Sequence, residues 1–325
     1  MSLTRASLVL LFAATSPLVA QTSQGPQPQT PMVESSGTEL LKSGKVSEAR
    51  DAFESVLNVD PANQEAQAGE VDSSERMALD ARAKGRMNDA LTYLVRAQQF
   101  VPKNARLLFD LGIQEDDMHL YQDADRSLGA AELLNPGDPN LIYAVARVKM
   151  DLGQLSAAAE NMQTYLKLRP NDASAHYGLA RVYQLGLQFD KARPEFQRSI
   201  DLEPVQTEAY YQLGDIALGQ GNFSEAIANF SKTLARDPKH GGALAGTGQA
   251  YFKQKQYVQA EDFLERAVAA APDYETSHYY LGLTLARLGR KEDSERELAL
   301  ATKLADEAKK NARSGIQLSP SAANQ

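Results

Sequence analysis

The sequence predicts an all-α fold, a solenoid of about eight helical hairpins stacked along a line. Three observations carry that expectation. Seven prolines, Pro61, Pro102, Pro136, Pro170, Pro204, Pro238 and Pro272, are separated by 41 residues once and then by 34 residues five times. A fixed period of that size marks one supersecondary unit copied along the chain. Small residues recur at two slots in register with those prolines, and bulky apolar residues at a third. Hydrophobic residues make up 43% of the 325 and charged residues 23%, which suits a continuous core under an ordinary polar surface.

Arg5 is the only charge among the first twenty residues, and residues 7–20 (SLVLLFAATSPLVA) are apolar or small. A positive start before an apolar run of that length reads as a secretory signal over 1–20, too short to span a bilayer comfortably. Cleavage is expected after Ala20, and the protein is expected to be exported, periplasmic or secreted. Residues 21–32, rich in Gln and Pro, read as a disordered linker. The array is expected over 33–313 and a disordered tail over 314–325.

Each unit reads as two antiparallel helices. In residues 173–204, Asp172 is placed to cap the first helix, and Ala175, Leu179, Ala180 and Tyr183 share one face. A turn follows over 186–189. Asp190 is placed to cap the second helix, whose buried face carries Ala192, Phe196, Ser199 and Ile200. Pro204 ends it, and Pro194 near its start predicts local distortion without a break.

One first-helix slot holds Gly37, Ala78, Gly112, Ala146, Ala180, Gly214, Gly248 and Gly282. A slot early in the second helix holds Ala49, Ala90, Ala124, Ala158, Ala192, Ala226, Ala260 and Ser294. Four residues further on stand Phe53, Leu94, Leu128, Met162, Phe196, Phe230, Leu264 and Leu298. Small slots let backbones approach, and the bulky residues plug the space between them.

The second unit is seven residues longer than the rest, about two helical turns. Gly69 is the only helix breaker in its first half, so the extra length is expected to extend the first helix. That extension reads either as a surface for a partner or as a solvated overhang. The last unit has Asp306 where proline is expected, so its second helix is expected to run on to about Arg313 as a charged capping helix.

The stretches LGDIALGQGNFSEAIANFSKTLARDP (213–238) and LGLTLARLGRKEDSERELALA (281–301) resemble the tetratricopeptide repeat family, and the resemblance extends over about 33–308. It implies a right-handed superhelix whose concave groove is lined by the first helices, in a family made mostly of scaffolds that bind peptides or proteins. On that geometry a further slot faces the groove: Phe109, Tyr143, Tyr177, Tyr211, Ala245 and Tyr279. Such a row offers large contact area at low entropic cost, or is plain wall packing. Arg147 and Arg181 lie one turn along from Tyr143 and Tyr177, placed either to receive a carboxylate or to pair with Asp117 or Asp151. The lysine–asparagine clamp of some relatives is missing here, which disfavours a receptor for a chaperone tail.

The chain departs from the family in three ways. Leu108, Ile142, His176, Tyr210, Leu244 and His278 stand where tryptophan is common. Glu115 and Lys149 stand where apolar residues are usual; they either face each other or extend to solvent. His119, Leu187 and Lys255 replace the turn glycine of their repeats, in a left-handed conformation that glycine adopts more easily.

The remaining chemistry is sparse. There is no cysteine, which excludes disulfides and thiolate metal sites. The four histidines, His119, His176, His240 and His278, fall in different repeats at spacings unsuited to metal, and His176 and His278 read as packing residues with one satisfied nitrogen. Asp116 and Asp117, adjacent on a helix, read as surface charge. No phosphate loop, dinucleotide fingerprint or nucleophile elbow is found. A net charge of −8 argues against a general nucleic-acid binder. The expectation is a non-catalytic scaffold of the cell envelope without cofactor, metal or small-molecule substrate. Its groove is expected to hold a peptide or protein partner through Phe109, Tyr143, Arg147, Tyr177, Arg181, Tyr211 and Tyr279. Envelope assembly, tethering export machinery in association with membrane proteins, is the alternative, and an enzyme built on the scaffold a remote one. The sequence leaves oligomeric state open.

Overall fold

The computed structural model describes residues 30–317, with side chains described over 36–311. The expected signal, most of the linker and most of the tail lie outside the described residues. Sixteen helices form eight hairpins, and no strand occurs among the described residues. They are α1 (Thr30–Lys42) with α2 (Val46–Val59), α3 (Gln64–Ala83) with α4 (Met87–Phe100), and α5 (Ala105–Asp117) with α6 (Tyr121–Leu134). Next come α7 (Pro139–Asp151) with α8 (Leu155–Leu168), α9 (Ala173–Leu185) with α10 (Phe189–Leu202), and α11 (Thr207–Gly219) with α12 (Phe223–Leu234). The last are α13 (Gly241–Lys253) with α14 (Tyr257–Ala270) and α15 (Glu275–Arg287) with α16 (Lys291–Gln317).

Every proline of the 34-residue series follows a second helix. The extra length of the second hairpin goes where expected: α3 has 20 residues, where α5, α7 and α9 have 13. α1 starts at Thr30, within the segment expected as linker, and α16 runs on to Gln317, past Arg313. The chain divides into two compact units at Met77–Ala78, inside α3.

In the first unit, Phe53 of α2 fills the space beside two glycines. A Cβ built on Gly37 would lie 2.7 Å from its ring, and one on Gly69 would also overlap it. Arg50 is buried in the same unit and donates to Asp51 Oδ1 at 2.9 Å.

The second unit repeats this construction. Leu128 occupies the space beside Gly112 (2.6 Å to a built Cβ), Leu264 that beside Gly248 (2.5 Å) and Leu298 that beside Gly282 (2.7 Å). Each plug stands sixteen residues after its glycine. The alanines of the second small slot, from Ala90 to Ala260, are fully buried, so any larger side chain there would push two helices apart. Each second helix packs on the first helix of the next hairpin. The first helices of successive hairpins also approach one another, α5 to α7, α7 to α9, α11 to α13 and α13 to α15, while second helices do not meet to that extent. Closer spacing on the first-helix side turns that side inward. The second unit therefore presents a wall of first helices as its groove.

The turns explain the residues at the glycine positions. Gly44, Gly85, Gly153, Gly221 and Gly289 have φ between 71° and 83°, and His119, Leu187 and Lys255 adopt 60°, 56° and 62° at the equivalent place. Asp172 caps α9 by accepting from the Ala175 amide at 3.0 Å. Asp190 does not cap α10: the helix begins at Phe189 with Gln188 at the cap position, which puts Asp190 inside the first turn. There its carboxylate still complements the helix dipole. α10 runs unbroken through Pro194, which is near enough to the amino end to remove little of the hydrogen-bond ladder.

Candidate binding groove

The seven expected groove residues all lie on first helices of the second unit. Tyr143, Tyr177 and Tyr211 are half-buried, because each ring leans on a second-helix side chain. Tyr177 meets Phe196 edge-on at 5.5 Å, Tyr211 meets Phe230 at 5.9 Å, and Tyr143 meets Tyr165 at 5.1 Å. Phe109 packs with the core around Leu128. Tyr279 is 43% exposed, the most open of the row. Wall packing and an accessible ring edge thus occur in the same residues. Burial pushes all three half-buried phenols up, and Tyr211, with Asp215, Tyr274 and Glu208 adding to the effect, reaches about 12. They remain neutral hydroxyl groups at any ordinary pH.

The two arginines differ. Arg147 Nη2 pairs with Asp116 Oδ2 at 3.0 Å, and that carboxylate is only 3% exposed. Neither Asp117 nor Asp151 is its partner. On α5 the Asp116 side chain points toward α7, whereas Asp117, about 100° further round, points to solvent. Asp116 is therefore not surface charge. Burial holds its carboxyl above the usual range, and this outweighs the opposing pull of Arg147. Arg147 is committed to that pair.

Arg181 has no carboxylate within ion-pair distance among the described residues. Its Nη1 donates to Gln184 Oε1 at 2.9 Å and to Gln212 Oε1 at 3.1 Å. Gln212 Nε2 donates in turn to Glu208 Oε1 at 2.8 Å, and Glu208 Oε2 lies 3.5 Å from His240 Nε2. His240 Nδ1 accepts from the Ala243 amide at 3.1 Å and so caps α13. A polar chain thus runs across the wall from α9 through α11 to α13. Its first link, from Arg181 to Gln212, joins α9 directly to α11. Asp215 occupies the slot on α11 that Arg181 occupies on α9. Although exposed, it lies against the wall, where lost hydration raises its carboxyl and Arg181 lowers it in part.

Glu115 and Lys149 do not face each other. Lys149 Nζ pairs with Asp125 of α6 at 2.8 Å. Glu115 is buried, and desolvation raises its carboxyl despite a hydrogen bond with Ser127. Sequence reasoning assigned His176 and His278 one satisfied nitrogen; both nitrogens are engaged. His278 Nε2 donates to the Pro272 carbonyl at 2.9 Å and Nδ1 meets Glu297 Oε2 at 2.6 Å. His176 repeats this with Pro170 (3.1 Å) and Glu195 (2.6 Å). No cluster able to hold a metal ion occurs among the described residues. No helix among them is long and apolar enough to cross a membrane.

Hairpins at a 34-residue pitch, with an aromatic and polar inner wall, define a helical-repeat scaffold. The tetratricopeptide repeat family profile matches residues 143–204 and 211–275, so those segments are tetratricopeptide repeats. Among solved structures, it is similar to the Cut9–Hcn1 hetero-tetramer of the APC/C, with 16% identity over 86% of this chain and 53% of that one and a TM-score of 0.57. A tetratricopeptide repeat protein from Parabacteroides merdae is similar at 16% identity over 79% of this chain and 98% of that one, TM-score 0.52. The C-terminal part of a repeat-containing protein from Cytophaga hutchinsonii gives 16% over 62% and 80%, TM-score 0.52. These likenesses show the fold alone. No curated protein matches the chain.

Proposed function

We propose that this chain is a non-catalytic interaction scaffold of the cell envelope that holds an extended segment of a partner protein against the first-helix wall of its second unit. Export of the chain follows, in this reading, from the apolar run over residues 7–20. One observation carries the binding role. Tyr177, one turn from Arg181 on α9, and Tyr211 on α11 are half-buried rings with neutral hydroxyl groups, and Arg181 has no carboxylate within ion-pair distance among the described residues. Rings held by Phe196 and Phe230 lose little freedom on binding, so their contact area is available at low entropic cost. The phenols and Gln184 provide donors and acceptors for a peptide backbone.

The test is a crosslinking pull-down from the native envelope with wild-type protein and with Tyr177→Ala/Arg181→Glu. Circular dichroism confirms that both are folded. The double variant is expected to lose partners that the wild type recovers. Identical recovery by the two proteins rejects the groove.

A further inference from the structure

Resting on that reading, we propose that the groove selects its guest by charge order: an extended protein segment with a carboxylate over α9 and a basic side chain over α11. Arg181 and Asp215 hold the same slot on successive first helices, one positive and one negative. The slot before them holds Arg147, already paired with Asp116, and the slot after them holds the neutral Gln249. The unpaired positive charge and the acidic group therefore meet once along the wall, between α9 and α11. Glu208, on the same helix as Asp215, adds a second negative charge and is 50% exposed. Gln212 holds Glu208 on one side and Arg181 on the other, so both charges are fixed in position before a guest arrives. Neighbouring helix axes are about 8–10 Å apart, and an extended chain rises about 3.3 Å per residue. Acid and base on the guest are thus expected two or three residues apart.

A guest of that kind gains at both ends. Its carboxylate takes up guanidinium N–H groups that the two glutamine carbonyls leave unused. Its cation offsets the poor hydration of Asp215 beside the Tyr211 ring. A guest with the two charges exchanged sets like against like at both places, and such juxtaposition is strongly disfavoured.

The experiment uses an array of synthetic peptides, each with two aromatic residues, one Asp and one Lys, in both orders and at varied separation. Each peptide carries either a free or an amidated C terminus, so that a terminal carboxylate is distinguished from an Asp side chain. Full-length wild type is expected to prefer one order at a separation of two or three by about tenfold. The charge-exchanged variant Arg181→Asp/Asp215→Arg is expected to prefer the opposite order. If the exchanged variant keeps the wild-type preference, or if wild type shows none, the charge-order inference is overturned. Tyr177→Ala/Tyr211→Ala separates the two claims. If these changes weaken binding of all peptides while the exchange alters nothing, the groove stands and only the charge order falls. If they leave binding intact, both fall.

Discussion

Phe230 occupies the volume that a side chain on Gly214 would need: a Cβ built on Gly214 lies 2.6 Å from Cδ1 and from Cε1 of the ring. Gly246 of the following hairpin stands on the ring's other side, its built Cβ 2.5 Å from Cζ. One ring thus sets the distance between three helices, α11, α12 and α13. Gly214→Ala is expected to destabilise the protein by about 1–3 kcal/mol, because the ring cannot retreat. Phe230→Leu also destabilises by itself, but the double variant should cost less than the sum. Urea unfolding of the four proteins measures that coupling, and strict additivity would show that the ring does not set the spacing.

Leu187 is 74% exposed with φ 56° at a turn where five other repeats have glycine. It has strain and little packing to offset it. Leu187→Gly is expected to raise stability by about 1 kcal/mol, the relief of a left-handed β-carbon less the added freedom of the unfolded chain. Thermal melts decide this, and a lower midpoint contradicts it. His119→Gly should gain less, because His119 Nδ1 is bonded to the Tyr121 hydroxyl at 2.8 Å.

Glu115 gives a pH dependence with a definite sign. Desolvation raises its carboxyl above the ordinary 4.5, so the native state holds that proton where the unfolded chain has released it. Its contribution is complete below the unfolded value and is lost as pH rises through the folded one. Asp116 and Asp215 act in the same direction. Glu115→Gln removes the titration and is expected to flatten the decline above about pH 4.5 and to stabilise by about 1 kcal/mol at neutral pH. Denaturant midpoints across pH 4–8 measure both effects, and parallel curves for the two proteins would exclude Glu115 as their source.

His278 joins three segments: its own helix, the Pro272 carbonyl and Glu297 of α16. Its side chain is 3% exposed, against 13% for His176 in the equivalent place. His278→Ala is therefore expected to cost about 2–3 kcal/mol, and His176→Ala less. Chemical denaturation checks the order of the two losses.

The fold was legible because its determinants lie close together in sequence or recur. Pro204 stops a helix through its own ring, and Gly214 with Phe230, sixteen residues apart, declares a small-to-large contact. The tyrosines were legible as a periodic row. The network beside them was not: Arg181, Gln212, Glu208 and His240 come from three helices in three repeats, and two of its contacts link residues 31 and 32 apart. None of them departs from surface composition when read alone. Asp116 misled for the same reason, since its partner Arg147 belongs to another repeat. Asp190 misled because one residue of shift at a helix start turns a cap into a first-turn acid.

α3 shows which changes of length such an array absorbs. In α13, Gly246 faces Phe230 and Gly248 faces Leu264, two residues and about 200° apart. In α3 the corresponding Gly69 and Ala78 are nine residues apart in sequence, seven more than in α13. On any helix an inserted heptad closes almost two full turns, so two contacts on either side of it keep nearly the same relative bearing. Five inserted residues would swing one of them by about 140° and aim it at water. Helices of this chain can therefore grow only in near-integral windings, a rule that anyone lengthening the scaffold by design must obey.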